Sequence, residues 1–332
     1  MQACEYEFDE IKNRMQTCGI VSVINNMFGS NIACEQAVMF GEKPVDDKLL
    51  AKITDVVYRA ASEEKLSLDQ AREVMGVVYE YHSEMDETRA NKMAEKGRNF
   101  AHKAMKSHQL NTAMRKFCDA WGMFDEAESA ADKNTLTERR KDALENVFKK
   151  EIVPAFIKIE GLNVKPAIKF DYGTDDVNYA VTEASFTEKG CDISVTFYFK
   201  DDALLEKDAV DWMAMFVHEL HHCSQYQKMS KNFVRHGYWG FDNNGKVDEM
   251  MMYPMLRYAH ANGHVAAEIN NPMEQEAYAA ERAFECSLRQ FFDLPKEESK
   301  SANETFLNNM YGEGFLNNLA VYKAVNEKLK VR

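Results

Sequence analysis

The chain has 332 residues, of which 45% are hydrophobic and 11% aromatic, and a formal net charge of −13. Such a chain folds, burying roughly 75% of its unfolded surface in one large domain or two. The negative balance argues against a phosphate-backbone partner, and no apolar run approaches the roughly 18 residues that span a bilayer, so neither nucleic acid nor membrane is expected.

In chain order, Met1-Gln2-Ala3-Cys4-Glu5-Tyr6-Glu7 is acidic, with no basic run ahead of an apolar stretch, so no secretory signal is expected. Seven cysteines, with no C-x-x-C pair, fit a reducing, cytoplasmic setting with free thiols. Residues 1–160 read as helical. Ser67-x-x-Gln70 and Thr135-x-x-Glu138 have the form of capping boxes. Val74, Val77, Val78 and Tyr81 repeat at helical spacing, as do Ala101 and Met105, then Met114, Phe117 and Trp121. Such stripes are packing surfaces. Arg139, Arg140, Lys141, Lys149 and Lys150 read as a solvated basic face. The stretch from Pro154 to Pro166, which contains Gly161, divides a helical N-terminal region (1–160) from a second domain (161–332).

That domain opens with strand patterns at Pro166–Tyr172, at Ala184–Thr187 and at Ile193–Phe199, the last alternating apolar with polar or amphipathic residues. Glu188-Lys189-Gly190 is a plausible hairpin turn between the second and third. The sheet edge offers an extended peptide a place to pair through its backbone. From about Asp208 to Met229 the chain reads as one helix without Gly or Pro. Ala209, Trp212, Met213, Phe216, Leu220 and Cys223 gather on one side of it. Asp211, Met215, His218, His222 and Gln225 gather on another, with Glu219 between.

Within that helix His218-Glu219-Leu220-His221-His222 spells H-E-x-x-H. Residues four apart share a helical face, so His218 and His222 can aim two imidazoles at one ion. Glu219 lies about 100° from His218, where its carboxylate can reach a metal-bound water without ligating the metal. His221 points away from this pair. Two imidazoles suit Zn2+, and an adjacent carboxylate suits proton abstraction.

Asn232 to Asn271 is turn-rich and suits a mobile lip. A second helix follows, with Asn271 as N-cap, Pro272 in the first helical position, and an end near Phe292. Catalytic zinc takes three protein ligands and leaves a position for water. The downstream candidates are His236, His260, His264, Glu274, Glu276 and Glu281. Glu274 falls where it can bond back to the cap. Glu276, one turn in and followed by small residues that permit close helix approach, is taken as the third ligand. An oxyanion-stabilising donor could be His236, Tyr238, His264 or Tyr278.

The form His-Glu-Leu-x-His-x-x-Gln, then Asn-Pro-x-Glu-x-Glu-Ala-Tyr, resembles the gluzincin branch of the zincin metallopeptidases, in particular bacterial and phage-borne members. The resemblance covers roughly residues 165–292. A third histidine at 228, which the metzincin pattern would require, is Lys228 here. The resemblance implies an α+β, predominantly helical fold with a small sheet and an active-site helix. It implies a zinc metalloendopeptidase acting on a peptide or protein, with His218, His222 and Glu276 as ligands and Glu219 as base. The chain lacks the Asn-Glu-x-x-x-Asp segment of better-known gluzincins, so the partner that orients a ligand histidine is not identifiable. The alternative is a catalytically silent zincin-fold protein, such as a phage or toxin component, that uses zinc for stability.

Overall fold

The computed structural model describes residues 14–15, 19–32, 45, 47–82, 87–124, 132–173, 180–187, 190–199, 203–206, 208–236, 255–256, 259, 271–294 and 318–330. It is mostly helical with one three-stranded sheet, and no described helix is long and apolar enough to cross a membrane. The backbone divides into two compact units, residues 1–85 with 231–274, and residues 86–230 with 275–332.

In the first unit lie helices α1 (Ile20–Phe28), α2 (Asp47–Ser62) and α3 (Leu68–His82). The capping box that opens α3 is formed as the pattern requires. Gln70 N donates to Ser67 Oγ over 3.1 Å, and Ser67 N donates to Gln70 Oε1 over 3.0 Å. Val74, Val77 and Val78 of α3 are buried. Gly76 sits where a Cβ would come 2.4 Å from the Ala259 Cβ, so α3 tolerates nothing larger there.

The second unit begins with α4 (Glu87–Lys106) and α5 (His108–Trp121). Next come α6 (Lys133–Ala143), a π-helical segment (Leu144–Ile152) and α7 (Val153–Glu160). The N-cap of α6 is Asp132, whose Oδ1 accepts from the backbone of Asn134 and Thr135, while Thr135 Oγ1 donates to Asp132 Oδ2 over 2.6 Å. Thr135 is therefore inside the first turn rather than at its cap; the carboxylate three residues earlier holds the stronger acceptor. Nor is Arg140 part of a solvated face, and Arg139 is only half-exposed. Arg139 donates to the carbonyls of Ala120 and Asp119, and buried Arg140 donates to those of Trp121 and Leu204. Both satisfy carbonyls at the end of α5, where a cation also suits the helix dipole.

The sheet comprises β1 (Ala167–Tyr172), β2 (Ala180–Thr187) and β3 (Gly190–Phe199) in the order β1-β3-β2. β1 runs parallel to β3 from the pair Ala167/Ser194 to Tyr172/Phe199. β2 runs antiparallel from Thr187/Gly190 to Ala180/Phe197. The period of two in β3 is expressed directly, with Cys191, Ile193, Val195, Phe197 and Phe199 all buried. After the short helix α8 (Ala203–Glu206) comes α9 (Ala209–His236), and later α10 (Pro272–Phe291) and α11 (Ala320–Lys330).

One face of α9 lies on the sheet. Phe216 meets Phe197 at 5.4 Å between ring centroids, and Trp212 meets Phe199 at 4.6 Å. Phe148, carried on the π-helical segment, reaches Phe216 at 4.1 Å and Phe117 at 5.5 Å, so helices and sheet share one aromatic core. The other side of α9 takes α10. Arg289 bonds Asp208 and Asp211 at the start of α9, while Glu281 meets His218 and Glu276 meets Gln225. These pairs run in opposite order along the two helices, which are therefore antiparallel. α10 also approaches α4 closely: a Cβ on Gly97 would come 2.4 Å from the Ala279 carbonyl oxygen.

Candidate metal centre

Three of the four residues singled out from the sequence, His218, Glu219 and His222, are buried on α9. Asp208 starts this helix, its Oδ1 accepting from Asp211 N over 2.8 Å, and Arg289 locks the same turn by ion pairs to Asp208 and Asp211 of 3.1 and 2.7 Å. The motif thus begins two turns inside a helix whose origin is pinned.

The two imidazoles converge. His218 Nε2 and His222 Nε2 are 3.1 Å apart. Behind each ring stands an acceptor. His218 Nδ1 is 3.0 Å from Glu281 Oε2, and His222 Nδ1 is 2.8 Å from Gln225 Oε1. A carboxylate oxygen and an amide oxygen accept only, so each Nδ1 donates, and in the neutral ring each Nε2 then presents its lone pair to the other. Glu281 is fully buried, and Tyr278, one turn before it, lays its ring 4.7 Å from that of His218. These are the orienting partners that the sequence left unassigned. The signal for Glu281 was present as spacing: Glu274, Tyr278 and Glu281 recur on one face of α10. Gln225 stood three residues from His222, on the ligand side of the helical wheel.

The carboxylate brought to the pair belongs to Glu274. His218, His222 and Glu274 each offer a ligand atom, all within 4.8 Å of one another, and this is the sole such group among the described residues. Glu274 lies in the first turn of α10, which Asn271 caps by accepting from Met273 N over 3.0 Å. Glu276 is placed differently. Its Oε1 accepts from Lys96 Nζ at 2.6 Å, and its Oε2 accepts from Gln225 Nε2 at 3.2 Å. His221, directed away from the pair as the helical wheel requires, lies 3.5 Å from Glu276 and 3.7 Å from Glu160. Burial alone would lower the pKa of His221, but the two carboxylates outweigh it and raise it to about 9. Burial acts on Glu276 in the opposite sense. His221 and Lys96 prevail there and hold its carboxyl well below the usual range.

Glu219 is held from the sheet. The Thr182 hydroxyl on β2 donates to Glu219 Oε2 over 2.5 Å. Cys223 is buried on the apolar side, and desolvation pushes its thiol up. The side chains of His236, Tyr238, His260 and His264 lie outside the described residues, as does the Glu188-Lys189 turn. No family model, curated protein or solved structure matches the chain.

Proposed function

We propose that this chain is a zinc-dependent metallopeptidase in which His218, His222 and Glu274 hold the metal and Glu219 is the general base. The observation that carries this reading is the pair of Nε2 atoms 3.1 Å apart, each on a ring whose Nδ1 already donates. With both rings neutral, the two lone pairs face each other at that distance, an arrangement that a metal ion placed against both would relieve. Donors about 2.0–2.1 Å from one tetrahedral ion stand about 3.3–3.4 Å apart, so this pair fits with a small ring rotation. Two neutral imidazoles and a carboxylate are also the donor set of many catalytic zinc sites. Glu274 is favoured over Glu276 as third ligand because its carboxylate has an oxygen within 4.8 Å of a ring nitrogen of both His218 and His222. The corresponding fold reading is zincin-like, of the gluzincin type, with the third ligand on a later helix.

Bound zinc supplies Lewis acidity, polarising a carbonyl and making water a stronger acid. The remaining chemistry belongs to the chain. Glu219, steadied at Oε2 by Thr182, takes the proton of the attacking water and returns it to the leaving amine. β2 is paired only with β3 among the described residues, so a peptide added along its other edge would lie beside Glu219. That favours a backbone amide as substrate over a small molecule. The test is hydrolysis of a peptide library by zinc-loaded protein, alongside Glu219→Gln, which is expected to keep zinc and lose turnover. Turnover retained in that variant would rule out the mechanism. Zinc-loaded protein inert towards every peptide would favour the catalytically silent alternative.

A further inference from the structure

We infer that Gln225 and Glu276 are positioning residues that set which nitrogen of His222 carries its proton, with Lys96 anchoring the far end of the chain of bonds. The inference rests on the metal reading above and adds to it the device that makes His222 a ligand. A neutral imidazole offers one lone pair, on either nitrogen, and only the form protonated at Nδ1 turns its lone pair toward His218. A side-chain amide can in principle face His222 either way round, with oxygen or with nitrogen. Glu276 removes that choice. Its carboxylate only accepts, and it stands 3.2 Å from Gln225 Nε2, so the amide nitrogen must face Glu276 and the amide oxygen must face His222. His222 Nδ1 then has to donate, over 2.8 Å, so in the neutral ring Nε2 holds the lone pair and turns it toward His218. Lys96 Nζ donates to the other oxygen of Glu276 over 2.6 Å, which holds that carboxylate in place against Gln225.

The two ligand histidines are thus set by different devices. His218 donates directly to the carboxylate of Glu281. His222 is governed at one remove, through an amide on its own helix whose orientation is dictated from α10. Because Lys96 reaches Glu276 from α4, beside the close Gly97–Ala279 approach, correct seating of α10 and a ligand-competent His222 are one event.

The experiment uses the full-length protein, zinc-free and with 15N-labelled histidine, at about pH 8, above the ordinary imidazole range. Ring 15N shifts report the tautomer, and chelator competition reports zinc affinity, in wild type, Gln225→Leu and Glu276→Leu. Wild-type His222 is expected as the Nδ1–H form. Either variant should shift His222 toward Nε2–H, leave His218 unchanged, and weaken zinc binding by about 10–100-fold. Loss of melting temperature without a change of tautomer would mark a merely structural role and overturn the inference. Wild-type His222 found as Nε2–H would overturn it without recourse to any variant, so a misfolded Gln225→Leu leaves the test intact. Failure of wild type to bind zinc while His222 shows the Nδ1–H form would sink the metal reading and uphold the relay.

Discussion

The two faces of α9 are both buried and are built on opposite principles. Toward the sheet, Trp212 and Phe216 join Phe148, Phe197 and Phe199 in contacts that have area but little direction. Toward α10, Asp211, His218 and Gln225 meet Arg289, Glu281 and Glu276 in bonds that each have a donor and an acceptor. The aromatic face gains free energy from whatever apolar volume fills it. The polar face gains little net stability from burying ions, and loses heavily when one partner is removed. A single helix therefore separates folding from chemistry by about a third of a turn, and substitutions on its two sides should fail in different ways.

The largest effect is expected at Glu219, the proposed base. Glu219→Gln should lower peptide hydrolysis by about 10²–10⁴-fold with zinc content and melting temperature close to wild type, read by steady-state kinetics and metal analysis. A variant that lost zinc as well would mean that Glu219 belongs to the binding set and not to the proton transfer.

On the aromatic face the loss should be of stability. Phe148 is buried against Phe117 and Phe216, so Phe148→Ala should cost about 3–5 kcal/mol in denaturant unfolding, with the surviving folded protein keeping its zinc affinity. Weaker zinc binding at unchanged stability would erase the contrast between the faces.

Gly97→Ala should show a smaller loss of both kinds. Its added Cβ meets backbone, the Ala279 carbonyl oxygen at 2.4 Å, and cannot be relieved by a side-chain rotation. A cost of about 1–3 kcal/mol is expected, together with weaker zinc binding, since α10 carries Glu274, Glu276 and Glu281. Loss of stability alone would show that α10 can shift as a body without disturbing the ligands.

The smallest effect concerns acid. Burial pushes the Glu160 carboxyl up, but His221 and then Lys228 hold it below its ordinary 4.5. A depressed carboxyl contributes stability that is present above its unfolded value and is lost as pH falls through the folded one. Wild type should therefore lose melting temperature more steeply below about pH 4.5 than Glu160→Gln, and equal slopes would contradict the pairing.

Much of this was legible because period and spacing are local properties. The alternation of Ile193–Phe199, the Ser67–Gln70 box and the turn-by-turn placement of His218 and His222 depend on residues within a few positions of one another. What the sequence hid depends on packing. Arg139 and Arg140 read as surface charge because nothing near them shows that the end of α5 lies alongside. Asp132 displaced Thr135 as a cap because two good acceptors compete three residues apart and the carboxylate prevails. On α10, capping logic gave Glu274 a local task and left Glu276 for the metal. The structure instead sets Glu276 against Lys96, a choice made by the contact of α10 with α4 that no spacing within α10 records. The π-helical turn that carries Phe148 left no mark in the pattern either.

The most direct measurement is metal content by elemental analysis of purified wild type beside His218→Ala and His222→Ala. About one zinc per wild-type chain is expected, and almost none in either variant. A wild-type chain without zinc after loading, or variants that retain it, would contradict a metal held between these two imidazoles.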